Sequence, residues 1–195
     1  MEVSITPENC IYTSCFCEEN VWKLCESFKE KLRLCEFYVV FISNPSKQIP
    51  LWCQRSSEIN SQPVVWDYHV ILLHKRTTDA YVYDLDTTLD FPCNLKEYAE
   101  KALQNESQFI TTFHRFFRVI PAPYFLKTFA SDRSHMKNND GEWMKPPPNY
   151  PLIKTQDSSM NLFEFIDMKT DNGHGTIMDM KKLLEHFYCE VNWLQ

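Results

Sequence analysis

The chain has 195 residues, 44% of them hydrophobic and 14% aromatic, and a formal net charge of −6 at pH 7. That length suits one domain burying roughly 70% of the surface its unfolded chain exposes. The negative charge, with no basic run longer than a few residues, argues against phosphate-driven nucleic-acid binding and against docking on an anionic membrane.

Eight cysteines raise the question of a disulfide framework. Met1 to Thr6 carries neither a basic n-region nor an apolar h-region, a domain of this size needs no staples, and Cys25, Cys35 and Cys189 lie within apolar patterns, as small buried hydrophobes do. No segment reaches the length of a membrane span. The expectation is a reduced, soluble, intracellular protein.

In chain order, residues 1–9 read as a flexible polar tail and residues 10–195 as one domain. A helix is expected from Glu18 to Leu34, with Val21, Trp22, Leu24, Cys25, Phe28 and Leu32 on one face. Thr13 and Ser14 are candidate N-caps, and Glu18 and Glu19 fall where carboxylates suit the helix dipole. The run Phe37 to Ile42 predicts a buried strand, and Ile49 to Cys53 a short one. Two β-prone stretches, Gln62 to Lys75 and Ala80 to Asp86, joined by the polar link Lys75–Asp79, predict a hairpin. Asn94-Leu95-Lys96-Glu97 resembles a capping box opening a helix to Gln104. A strand follows within Phe113 to Ile120, then a short helix over Tyr124 to Ala130. Lys137 to Pro151 is a proline-rich loop, and two helices, Asn161 to Met168 and Met180 to Val191, close the chain. With only three glycines, no Gly-rich phosphate loop is possible.

The chemistry concentrates at Cys15-Phe16-Cys17, just before the first helix. A thiol there feels the positive end of the dipole, which favours the thiolate. A hairpin turn centred between Arg76 and Thr77 sets His69 opposite Asp84 on one face. A carboxylate in that place fixes the imidazole tautomer and leaves the other nitrogen free as a base. Cys17, His69 and Asp84 then form nucleophile, base and orienter. The residues alone leave other readings open. Cys15 rivals Cys17, and Asp67 and Asp86 rival Asp84. Cys17, His69 and Asp84 could equally be core filler, a satisfied core histidine and a strand-end cap. A Cys-x-Cys pair with His69 or His74 could enter a metal site, although no second cysteine pair completes a tetrahedral set. His114 and His135 read as surface or capping residues, with His135 retaining a claim to line a site. Pro146 to Pro148 could serve as a polyproline ligand of a non-catalytic interaction module.

Longer motifs narrow this. Cys10-Ile11-Tyr12-Thr13-Ser14-Cys15-Phe16-Cys17-Glu18-Glu19-Asn20, Val65-Trp66-Asp67-Tyr68-His69-Val70, Tyr83-Asp84-Leu85-Asp86-Thr87 and Ser131-Asp132-Arg133-Ser134-His135-Met136, with the proline-rich loop up to Tyr150-Pro151, closely resemble the protein N-terminal glutamine amidohydrolase family. The resemblance runs from Cys10 to the last helix. It implies a single-domain α+β fold of the papain and transglutaminase type, an antiparallel sheet flanked by helices. It also implies a triad of Cys17, His69 and Asp84, no cofactor and no metal, and deamidation of N-terminal glutamine to glutamate, feeding arginylation in the N-degron pathway.

Such an enzyme must read a free α-ammonium, for which Glu18, Asp67 and Asp132 are the candidates, while Trp66 and Tyr68 could wall the pocket. The expected partners are proteins or peptides beginning with Gln, in the cytoplasm and also the nucleus, with the chain acting as a monomer. A cysteine protease or a transglutaminase would share the same triad.

Overall fold

The computed structural model describes residues 5–29, 36–59, 61–169 and 173–188. Six strands form one antiparallel sheet: β1 (Phe37–Ser43), β4 (Tyr68–Lys75), β5 (Ala80–Tyr83), β6 (Cys93–Asn94), β7 (Phe116–Pro121) and β8 (Thr176–Met178), in the order β6-β5-β4-β1-β7-β8. A separate ribbon pairs β2 (Ile49–Leu51) with β3 (Val64–Trp66). The continuous apolar run of β1 makes it a central strand, because both of its faces must be covered.

Those faces divide by residue parity. Phe37, Val39 and Phe41 of β1, with Val70 and Leu72 of β4, join one core with helix α1 (Cys17–Phe28), α3 (Ala122–Thr128) and α4 (Leu162–Ile166). Val40, Ile42, Ile71 and Leu73 join a second core with α2 (Leu95–Tyr98), the π-helical turn Ala99–Leu103 that continues it, and α5 (Met180–Phe187). The sheet is thus the middle layer of an α+β sandwich, as the alternation of strand side chains requires.

Several expectations shift in detail. Helix α1 starts on Cys17 itself, and neither Thr13 nor Ser14 caps it. Phe16 is the N-cap and supplies no side-chain bond. Asn20 reaches back instead and holds both backbone groups of Thr13, accepting from its N–H at 2.8 Å and donating to its carbonyl at 2.9 Å. Cys15 takes a left-handed conformation, φ 67°, that few non-glycine residues adopt. The part of the expected first helix from residue 30 to 34 lies outside the described residues, as do residues 189–191 of the last one. The expected single strand over Gln62 to Lys75 is two strands, interrupted at Asp67, whose carboxylate accepts from the Tyr68 N–H. β6 and β8 had no signal in the sequence, being too short to show a period. Within residues 1–9, Pro7–Asn9 form a 3₁₀ turn and Ile5 packs against the core. The described cysteines, Cys10, Cys15, Cys17, Cys25, Cys53 and Cys93, are unpaired, and no described helix is long and apolar enough to cross a membrane.

The hairpin register also differs. Arg76 N–H donates to the Asp79 carbonyl at 2.8 Å, so the turn centres between Thr77 and Thr78, and Leu72 opposes Tyr83. Pairing is displaced by an even number of residues, which leaves every side chain on its expected face. β5 ends at Tyr83, one residue before Asp84. Asp84 is therefore free of the ladder and lies diagonal to His69.

Candidate active site

Where β5 stops, the edge of β4 below Leu72 is left open, and the start of α1 fills it. Cys17, the first residue of α1, is buried there with 9% of its surface exposed, and the backbone N–H of Val70 on β4 faces its sulfur. Cys17 and His69 line one cavity of about 460 Å³, a volume suited to a side chain and its flanking backbone. Trp66 stacks on the His69 ring, centroids 5.6 Å apart and planes 19° off parallel, and fixes the imidazole plane.

Asp84 is fully buried and saturated with donors. His69 Nε2 lies 2.9 Å from its Oδ1, which also accepts from the Asp86 N–H at 2.9 Å. Its Oδ2 accepts from the Tyr98 hydroxyl at 2.8 Å and from Gln54 Nε2 at 3.2 Å. Gln54 in turn accepts from the Trp66 indole N–H at 3.3 Å. The indole, the amide and the carboxylate form one chain that holds the histidine by both its face and its edge. A carboxylate fed by this many donors stays ionised: burial opposes the charge, but His69 and the hydrogen bonds hold Asp84 below the usual range. Burial likewise opposes the His69 imidazolium, and the adjoining Asp84 outweighs it, so that His69 titrates above its ordinary value. With Nε2 committed to Asp84, Nδ1 is the nitrogen left for chemistry.

The thiol behaves differently from the expectation of a helix-activated thiolate. Burial first, then the carboxylates of Glu18, Asp86 and Asp67, push the Cys17 thiol well up, and only the Val70 N–H pulls it down. The helix dipole is outweighed because the site is desolvated and ringed with negative charge. At rest the sulfur therefore holds its proton, which suits a nucleophile deprotonated by a neighbouring base during attack.

The remaining predicted residues fall at different depths. Tyr68 and Trp66 line the cavity, as does Asp67 at its exposed rim. Glu18 is fully buried and is not part of the lining. Its Oε2 accepts from the Tyr68 hydroxyl at 3.0 Å and sits 3.7 Å from the Cys17 sulfur. Asp132 also lies outside the lining, where its carboxylate accepts from the Ser134 N–H. His135 does line the cavity, 3.4 Å from Glu18 Oε1 and 3.4 Å from the Tyr68 hydroxyl. Its neighbour Arg133 forms a fully buried bidentate pair with Glu19, at 2.9 and 2.8 Å, and donates to the Pro148 carbonyl. The Ser-Asp-Arg-Ser-His-Met motif thus pins the proline-rich loop to α1 and brings His135 to the cavity. Cys15 lines the same cavity, whereas His74 stacks on Phe37 at 4.1 Å and pairs with Glu36, away from it. His114 bonds the Phe109 carbonyl. Among the described residues, His69, Asp84 and Asp86 place possible metal-ligating atoms within 4.8 Å of one another, but the hydrogen bonds on Asp84 fit an orienting carboxylate rather than a ligand.

Sequence reasoning missed Gln54 and Tyr98, two of the donors that hold Asp84. Neither carries a sequence signal, because both reach the site from elements distant in the chain. Asp86 was visible only as a rival for the triad.

A buried cysteine opening a helix, beside an imidazole locked to a carboxylate on an antiparallel sheet, defines an α+β protein with a cysteine–histidine–aspartate site. The particular family follows from comparison. A family model described as N-terminal glutamine amidase matches residues 12–187, and the chain belongs to that family. It is 50% identical over 189 residues to a protein N-terminal glutamine amidohydrolase of Danio rerio, covering 94% of this chain and 93% of the relative. It is 48% identical over 181 residues to the protein of that name from Homo sapiens, covering 91% and 88%. With the one from Drosophila melanogaster it is 43% identical over 185 residues, covering 92% and 89%.

Proposed function

We infer that this chain is a hydrolase that converts N-terminal glutamine of proteins and peptides to glutamate with release of ammonia, and that it does so by thiol catalysis. The observation that carries the reading is the convergence of Cys17 with the His69–Asp84 pair on one cavity, in a chain matched by the family over residues 12–187.

In the mechanism we propose, His69 Nδ1 takes the Cys17 proton as the sulfur attacks the side-chain amide carbon. The tetrahedral oxyanion meets the Cys17 backbone N–H, which has no intrahelical acceptor at the first position of a helix. The imidazolium, stabilised by Asp84, gives its proton to the departing nitrogen, and ammonia leaves a thioester. His69 then removes a proton from water as it adds to the thioester carbonyl, and returns it to sulfur, releasing glutamate. The thiol pushed up by burial supports a general-base step over a standing ion pair, and the raised basicity of His69 equips it to take the proton. A product beginning with glutamate is what arginylation in an N-degron pathway would receive. A reducing compartment, cytoplasmic or nuclear, accords with the unpaired cysteines, and we expect a monomer.

The test is ammonia release from peptides beginning with Gln. Cys17→Ala is expected to lose turnover by more than about 10⁴-fold while Cys15→Ala retains it. Ammonia from internal glutamines, peptide-bond cleavage, or a reversed ranking of the two cysteines overturns the reading.

A further inference from the structure

The proposed reaction requires the free α-ammonium of the substrate to be distinguished from a peptide nitrogen, and the cavity holds one carboxylate placed to do this. Asp86 is buried, with 6% exposure, and lines the cavity. Its Oδ1 accepts from the Tyr12 hydroxyl at 2.6 Å. Its Oδ2 has no hydrogen-bond partner among the described residues. The backbone around it is fixed on both sides, by its own N–H to Asp84 and by the Arg55 N–H on its carbonyl at 2.8 Å. Asp86 is therefore a rigid anion with an unused acceptor at the reacting centre.

The competing carboxylates are disqualified by place. Glu18 is fully buried outside the cavity lining, with Oε2 on the Tyr68 hydroxyl and Oε1 3.4 Å from His135. Asp67 sits at the exposed rim with one oxygen on the Tyr68 N–H, where solvent weakens an ion pair. Asp132 is outside the cavity, on the Ser134 N–H.

The geometry fits the span of glutamine. In an extended glutamine the α-nitrogen lies about 5 Å from the side-chain carbonyl carbon. Ligand atoms of Asp86, His69 and Asp84 fall within 4.8 Å of one another, so a carboxamide held at Cys17 and His69 leaves the amine within reach of Asp86. We propose that Asp86, positioned by the Tyr12 hydroxyl, is the anchor for the substrate α-ammonium. The proposal deepens the function inferred above and rests on it. Burial makes the lone Asp86 charge costly and raises its pKa, and an incoming ammonium relieves that cost. An internal glutamine brings no cation and sets a peptide group against the Asp86 carboxylate instead.

The experiment compares three peptides of one sequence: free N-terminal Gln, N-acetyl-Gln, and the des-amino analogue in which 5-amino-5-oxopentanoyl replaces Gln. Ammonia release gives kcat and KM for wild type, Asp86→Asn, Tyr12→Phe, Glu18→Gln and Asp67→Asn. Wild type should prefer the free amine strongly. Asp86→Asn should raise KM for the free-amine peptide by about 10²-fold and leave the poor turnover of the other two unchanged, so that the preference collapses. Tyr12→Phe, which leaves the carboxylate in place, should raise the free-amine KM a few-fold only, and it carries the test should Asp86→Asn not fold. A merely structural role lowers all three substrates alike. Retained preference in Asp86→Asn, or collapse in Glu18→Gln or Asp67→Asn instead, overturns the assignment while leaving the functional reading intact. Wild-type silence on the free-amine peptide sinks both.

Discussion

Two carboxylate–imidazole pairs flank the same cavity, and they are built on opposite terms. In His69–Asp84 the contact is 2.9 Å and both carboxylate oxygens are fully supplied, by a backbone amide, a phenol and a glutamine besides the imidazole. In His135–Glu18 the separation is 3.4 Å, and Glu18 Oε1 and His135 Nδ1 are buried without a hydrogen-bond partner. A saturated buried network has one arrangement and holds it; an unsaturated one can change partners at little cost. The first pair is suited to orient a base through a catalytic cycle. The second can rearrange more readily, because its orphan atoms lose no hydrogen bond when the side chains shift.

This contrast can be broken at the saturated pair with the largest effect. Asp84→Asn keeps the shape but removes the charge and offers His69 a competing donor, so the imidazole tautomer is no longer fixed. Loss of about 10⁴-fold in kcat is expected. The sign of the pH effect follows from the causes. Asp84 raises the His69 pKa against burial, so the acid limb of the wild-type kcat/KM profile should lie above pH 6.5, the free-imidazole value. Removing Asp84 leaves burial dominant and should move that limb down. A limb that stays in place would show that another group governs it.

A smaller effect is expected at the ion pair that carries the loose histidine. Arg133→Met leaves Glu19 charged in a fully buried position and should cost about 3–5 kcal/mol of stability, read by denaturant unfolding. The double variant Glu19→Leu with Arg133→Met removes both charges and should recover most of that loss. Equal destabilisation in the double variant would mean that Arg133 acts through its bond to the Pro148 carbonyl, and through packing, rather than through Glu19.

The smallest effect belongs to the unsaturated pair. His135→Gln should lower kcat/KM by less than about 10²-fold, the floor for a general acid or base, without moving the acid limb. A larger loss would place His135 in the chemistry and erase the distinction between the pairs.

Much of this site could be read in the chain. Apolar periodicity located α1 and β1, and the hairpin brought His69 and Asp84 to one face even though the turn was placed one residue too early, because an even register shift preserves the face. The Cys17 motif sat at a helix start by both pattern and structure. Local chemistry misled in two places. Thr13 and Ser14 look like caps, but neither side chain bonds the helix; Phe16 is the N-cap without a side-chain bond, and Asn20 reaches back to hold the Thr13 backbone. The helix dipole suggests a thiolate at Cys17, but burial, and after it the carboxylates of Glu18 next in the chain, Asp86 beyond β5 and Asp67 before β4, push the thiol up.

What the sequence determined by itself was the element types, the parity of the strands and the family motifs, all of which depend on residues near one another in the chain. Only the tertiary structure set the surroundings of each carboxylate. Asp84, Asp86, Asp67 and Glu18 are the same kind of group in sequence. They differ in burial and in the donors that reach them from Tyr98, Gln54, Tyr12 and Tyr68, because the free energy of a charge depends on its solvation and its neighbours, and those are fixed only when the chain has closed around it.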